Sequence, residues 1–317
     1  MNAPAPHSPR ETFALHGHDA AMAAFQDSRR SGRLHHAWLL HGPMGIGKAT
    51  LAFHFARILL NGVDPQSPAG RRITAGTHAD LMVIGRGMDE RKGRLRSEIV
   101  ADEVRPIQSF LRRTAAEGGW RVVIIDGAEF MNRHAANALL KLLEEPPPQA
   151  ALFLVSAAPG ALLPTLRSRC RALTCLPLSN DDMRQVLHEQ GYATQDVDRL
   201  IEAAHGSPGR AAFLGHDRDG RVAGIVGKWL DGGASGASPG DAESIVRQDE
   251  GFALLCDLLG DGLSQRARRL AETNSLADAA RVAAAHGALA ALRRETERFN
   301  LDKGQAVLQA ATIVSDL

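Results

Sequence analysis

Residues 42–49 read GPMGIGKA, and what stands on either side of them leaves few folds open. Ala37 to His41 (AWLLH) is a short apolar run of the kind that makes a buried parallel strand. Ala49 to Leu60 (ATLAFHFARILL) follows with helical composition and no breaker. A strand, a glycine loop and a helix in that order form a phosphate cradle. Gly42, Gly45 and Gly47 let the loop, with Pro43 and Ile46 set between them, curl its free N–H groups around an anion. The helix N-terminus faces the same anion, and Lys48 reaches the outer phosphates.

The pattern G-x-x-x-x-G-K-[ST] fails only at its last position. Ala49 stands where a hydroxyl would hold the magnesium of a bound nucleotide. Thr50 has a hydroxyl, but one residue along a helix turns it by roughly 100° from the required direction. The scaffold is that of an NTPase, while this position argues against hydrolysis.

More strand and helix signals follow. Leu81 to Ile84 (LMVI), Arg121 to Asp126 (RVVIID) and Ala151 to Ser156 (ALFLVS) read as buried strands, the last of them closing the sheet. Asp102 reads as the cap of a helix running to about Ala116, with Val104, Ile107 and Leu111 on one face and Pro106 tolerated near its start. Asn132 caps the next helix, whose Ala136, Leu139, Leu140 and Leu143 make an apolar stripe that Pro146 to Pro148 ends. Strands alternating with helices predict an α/β fold with a parallel sheet. Residues 61–77 read as loop and residues 1–10 as a disordered tail. Residues 11–36 hold an amphipathic helix and a basic stretch. Residues 86–96 (RGMDERKGRLR) read either as a DNA-facing patch or as a solvated hairpin; the lack of interleaved aromatics favours the hairpin. Residues 178–215 predict two or three short helices, and 219–317 are helical except for a Gly/Ser-rich loop at 231–241.

Composition removes several classes of function. Lys and Arg number 37 against 36 Asp and Glu, so no global basic field draws in nucleic acid. The three cysteines, Cys170, Cys175 and Cys256, have the spacing of neither a disulfide framework nor a four-thiolate zinc site. No signal peptide opens the sequence, and no apolar run approaches the length of about 18 residues that spans a membrane. These features predict a soluble, cytoplasmic protein.

Further candidates lie at strand ends. Asp126 closes the RVVIID strand, either as a turn former or, as the glycine loop favours, where a P-loop protein keeps the carboxylate that orients magnesium. Ser156 closes the next strand, as a sensor of the outer phosphate or as an ordinary strand-end hydroxyl. The segment LLPTLRSRCRAL at 162–173 sets an arginine between Ser168 and Cys170. Such an arginine either makes a surface salt bridge or projects toward a phosphate held by a neighbouring subunit, a task its fixed fork of donors suits.

The stretches RLHHAWLLHGPMGIGK, AGTHADLMVI, GGWRVVIIDGAEFMN, AANALLKLLEEPP and ALLPTLRSRC together resemble the delta′ family of bacterial DNA polymerase III clamp-loader subunits, a branch of the AAA+ class. They cover most of residues 33–175. The resemblance implies a RecA-like P-loop domain at 1–177, a helical lid at 178–217 and an all-α collar domain at 218–317 that helps close a pentamer. It implies delta and gamma or tau subunits as partners, opening of the sliding clamp, and contact with primer-template DNA through the assembled complex. The family's Ser-Arg-Cys arginine, a finger acting in trans on ATP held by the adjacent gamma or tau subunit, falls on Arg169. Arg210 falls where AAA+ lids carry a second sensing arginine, with a solvated arginine as the alternative.

Two departures besides Ala49 qualify what is carried over. AAA+ motors place a water-polarising glutamate directly after the strand-end aspartate; here that residue is Gly127, and Glu129 is expected to point elsewhere. Zinc-binding relatives carry four cysteines before the second strand; residues 61–77 contain none, so no zinc is expected. Weak binding of ATP or ADP with magnesium stays open. The leading expectation is a largely non-catalytic subunit of a DNA-directed DNA polymerase holoenzyme, itself without the acidic triad of a polymerase. The alternatives are a self-sufficient ATPase, gamma-like or a branch-migration motor, and a small-molecule P-loop kinase, which the helical last third does not suit.

Overall fold

The computed structural model describes residues 8–89, 94–96, 98–216, 221–232, 238–246, 251–299 and 301–317. The chain divides into two compact units, Met1–Ala212 and Phe213–Leu317. The segment expected as a separate lid lies, as far as Ala212, in the first unit together with the sheet. Among the described residues no helix is long and apolar enough to cross a membrane.

The first unit runs α1 (Asp19–Arg30), β1 (Ala37–His41), α2 (Lys48–Leu59), α3 (Pro68–Ala75), β2 (Leu81–Ile84), β3 (Met88–Asp89), β4 (Arg94–Leu95), α4 (Ala101–Val104), α5 (Pro106–Arg112), β5 (Arg121–Asp126), α6 (Arg133–Glu144), β6 (Ala150–Ser156), α7 (Pro164–Arg167), β7 (Arg171–Thr174), α8 (Asn180–Glu189), α9 (Thr194–Ala204) and α10 (Pro208–His216), the last crossing the unit boundary. Five strands form one parallel sheet in the order β2-β5-β6-β1-β7. The three central strands are apolar on both faces, because helices cover both. On one face Phe25 of α1 stacks on Phe55 of α2, ring centroids 4.0 Å apart, with Trp38 edge-on at 5.6 Å. On the other, Leu39, Val123, Ile125, Leu152 and Leu154 pack with Ile107, Leu111, Leu139 and Leu143. Alternate residues of each strand thus feed two separate cores.

Several expectations need correcting. Residues 61–77 are not all loop, since they contain α3: the Ser67 hydroxyl accepts from the Gly70 amide, Pro68 starts the helix, and Gly76 ends it at φ 72°. The helix expected from Asp102 to Ala116 is two short ones. Glu103 accepts from the Val100 amide at 3.0 Å to start α4, while Asp102 lies in the first turn and pairs with Arg105. Pro106 has no N–H to continue that helix, and Arg113 turns extended to end α5. The sheet does not close at Ser156, because β7 adds an edge strand beside β1. The tail is placed from Ser8 onward: the Arg57 guanidinium donates to the carbonyls of Arg10 and Thr12 at 2.5 and 3.0 Å and lies 4.0 Å over the Phe13 ring. Residues 1–7 of the expected tail lie outside the described residues, as do 233–237 of the expected loop. In the charged 86–96 stretch β3 pairs antiparallel with β4, as a hairpin should, and 90–93 lie outside the described residues.

The second unit contains α11 (Arg221–Gly232), α12 (Pro239–Val246), α13 (Gly251–Glu272), α14 (Leu276–Phe299) and α15 (Lys303–Ser315). The turn from α13 to α14 is a Schellman motif: Asn274 takes φ 61°, its amide bonds the Ala271 carbonyl, and the Ser275 amide bonds that of Leu270. Val222, Ile245, Leu255, Leu259, Leu263 and Val307 are fully buried between these helices.

Candidate functional site

The glycine loop leaves β1 at the carboxyl edge of the sheet, where open α/β sheets bind ligands. Its shape depends on its glycines. Gly42, Gly45 and Gly47 have φ of 155°, 74° and 97°. A Cβ on Gly42 would stand 2.2 Å from the Cys175 carbonyl oxygen, and one on Gly45 2.6 Å from the Ser207 hydroxyl. Five successive carbonyls of the loop each accept a hydrogen bond. Lys48, a residue 6% exposed, donates from its ammonium to Gly42 at 2.9 Å and Pro43 at 2.5 Å. The Ser207 hydroxyl donates to Met44 at 3.0 Å and the Gly209 amide to Gly45 at 2.9 Å. His18 Nε2 reaches Ile46 at 2.8 Å, which requires the proton on that nitrogen. The amides of Gly45, Ile46 and Gly47 find no acceptor among the described residues. Carbonyls tied outward and amides left open make a cup of donors at the start of α2, the arrangement that holds a phosphate.

That cup opens into a cavity of about 780 Å³. Ala49, Thr50, Asp126 and Ser156 all line it. Register explains the meeting: Ser156 pairs with His41, and Asp126 with Val155, so three neighbouring strands end together. Glu129 lines the cavity too, which corrects the expectation that it points elsewhere. A single turn of 3-10 helix, Ala128–Phe130, folds it back. One carboxylate oxygen then accepts from the Ala157 amide at 2.9 Å, and the other is buried without a donor among the described residues. The side chain of Asp126 still reaches solvent through the cavity mouth. Even so, burial, and after it the charge of Glu129, pushes its carboxyl above the usual range against the pull of Lys48. Burial likewise pulls Lys48 below the usual lysine range, opposed by Glu129, Cys175 and Asp126. Burial also lowers the His18 ring, which keeps it neutral in its bond to Ile46.

Magnesium, which the resemblance brings with a nucleotide, is poorly served. Ala49 offers a methyl group, and Thr50 borders the cavity from the next position round the helix. Gly127 cannot be read as a simple deletion of the motor's glutamate. Its φ is 76°, and a Cβ there would meet the Phe130 ring at 2.8 Å.

Arg86 was not among the residues singled out for this site. It follows β2, lines the cavity, and lies 4.0 Å over the Phe130 ring centroid. Nothing local in the sequence marks it; the pairing of β2 with β5 brings it beside Asp126. The two other arginines stand apart. Arg210 gives its amide to the Ser207 hydroxyl at 3.2 Å but is outside the lining, whereas Pro208, Gly209 and Ala212 are in it. Arg169 follows α7, half-buried and away from this chain's own cavity. Its two terminal nitrogens bond the Thr165 carbonyl at 2.8 Å and the Glu144 carboxylate at 2.7 Å.

A family model described as DNA polymerase III, delta subunit, matches residues 17–179, just over half of the chain and nearly all the elements that build the cavity. The chain belongs to the DNA polymerase III delta′ subunit family. The DNA polymerase III subunit delta′ of Pseudomonas aeruginosa is 42% identical over 183 residues, covering 55% of this chain and 53% of that one. The subunit of the same name from Escherichia coli is 34% identical, covering 59% of this chain and 56% of that one. The chain spans about half the length of the curated relatives it matches. Among solved structures, a gamma subunit-related protein from Thermotoga maritima superposes with a TM-score of 0.50 at 16% identity, over 92% of this chain and 98% of that one. The fold is an AAA+ α/β module with a helical C-terminal unit.

Proposed function

We propose that this chain is the delta′ subunit of a bacterial clamp loader, a largely non-catalytic AAA+ member that completes a neighbour's ATP site. It works in the cytoplasm with delta and gamma or tau subunits to place the sliding clamp on primed DNA, and meets that DNA through the assembled complex. The position of Arg169 carries this reading. Its guanidinium is clamped at two points, outside the cavity of its own chain, on the turn that precedes the edge strand β7. An arginine so presented suits a phosphate on another subunit, whose outer charge it neutralises in the transition state. The chain's own cavity holds a nucleoside phosphate without hydrolysing it, since it has a methyl at Ala49 and no carboxylate at Gly127. Family membership supports the role, and the charge balance of the chain agrees with DNA contact made by the assembly.

Reconstitution tests it. In a complex with gamma or tau and delta, Arg169→Ala should leave assembly on a sizing column unchanged. DNA-stimulated ATP turnover at the adjacent site should fall by about tenfold or more. Wild-type turnover in that complex would end the arginine-donor reading.

A further inference from the structure

We propose that this chain's own cavity takes a nucleoside diphosphate without a divalent cation, Arg86 supplying the positive charge that magnesium supplies in other phosphate loops. The inference rests on reading the cavity as a nucleotide site and adds how that site is charged.

The loop amides are open to an anion, the Lys48 ammonium being held on the Gly42 and Pro43 carbonyls, and about 780 Å³ lies in the range that nucleotide-sized ligands occupy. Phe13, Leu15 and Leu178 add apolar lining that suits a base. What a metal would need is missing at Ala49. What a metal would do still has to be done, because Asp126 and Glu129 put two carboxylates beside the phosphates. Arg86 answers that need. It borders the same cavity on the Asp126 side, and its stacking on Phe130 holds the guanidinium plane while leaving its edge donors for oxygen ligands. A cation fixed beside Asp126 also opposes a second cation there. The pair of carboxylates selects the shorter ligand. Glu129 already holds the Ala157 amide just beyond Ser156 and lines the cavity as a carboxylate, its second oxygen buried without a donor among the described residues, so a third phosphate adds charge beside a wall that is already negative.

The experiment is binding of fluorescent ADP to the full-length protein, in EDTA and in magnesium. Wild-type affinity should agree within about threefold between the two buffers, a free-energy difference below that of one decade. Arg86→Ala should weaken binding in EDTA by about tenfold or more, and Arg86→Gln should do the same with an unchanged melting temperature, which separates charge from packing. ATP should bind more weakly than ADP in EDTA, and Glu129→Gln should narrow that gap. Affinity that rises about tenfold with magnesium and is lost in Thr50→Ala would return the metal to Thr50 and overturn the inference alone. Binding indifferent to Arg86 would overturn it as well. Failure of the wild-type protein to bind ADP in either buffer would overturn the nucleotide reading of the cavity with it, and leave the Arg169 test standing.

Discussion

Arg169 and Gly127 carry opposite messages about catalysis, and both can be weighed by what surrounds them. The ion pair of Arg169 with Glu144 is partly solvated on both sides, and such pairs contribute up to about 1 kcal/mol. It sets the direction of the guanidinium at little cost to its release, so a phosphate on a neighbour can draw the arginine away. Gly127 is less permissive. A glutamate grafted there, as motors have it, takes a left-handed backbone and presses on Phe130. Gly127→Glu should therefore cost about 1–3 kcal/mol in denaturant titration and, even with Ala49→Ser, yield no turnover by the isolated chain. Robust turnover by that double variant would show that chemistry here lacks only two side chains.

Elements explain what could be read from sequence and what could not. The strands β1, β5 and β6 were legible because burial on both faces demands unbroken apolar runs, and the loop after β1 because its glycines have few other uses. The edge strand β7 was not: three of its four residues are exposed, so no pattern separates it from a turn. The helix α3 announces itself by Ser67, Pro68 and Gly76, a cap, a start and a stop within a segment otherwise poor in apolar periodicity. Arg86 and Glu129 needed topology, since one reaches the cavity through the pairing of β2 with β5 and the other through a single tight turn. A tie at the opposite end of those strands is equally hidden in the sequence. Asp80, 1% exposed, accepts from the amides of Ala116 and Glu117 at 2.8 and 3.0 Å and pairs with Arg121 at 3.2 Å. Arg121 in turn donates to the carbonyls of Phe110 and Thr114. Removing one partner strands a buried charge, so Arg121→Ala should lose about 3–5 kcal/mol in urea denaturation. A loss under about 1 kcal/mol would mean that the two amides alone satisfy Asp80.

At the scale of the whole molecule, two units with separate cores divide the labour. Every residue of the cavity belongs to the first, while the second is built from helices around Leu255, Leu259 and Leu263. Leu259→Ala should destabilise the second unit by about 2–5 kcal/mol while leaving ADP affinity where it was. An accompanying loss of ADP binding would show that the cavity depends on the helical unit. The cavity itself is less self-contained than its size suggests. Each carbonyl of the loop is held by a donor, and three of those donors come from outside the loop: the ring before α1, and the hydroxyl and amide that lead into α10. A ligand that shifts the loop by an ångström must therefore loosen donors at distant points of the sequence. The Gly209 amide, bonded to the Gly45 carbonyl, becomes a natural reporter, and its hydrogen–deuterium exchange should change with occupancy of the cavity.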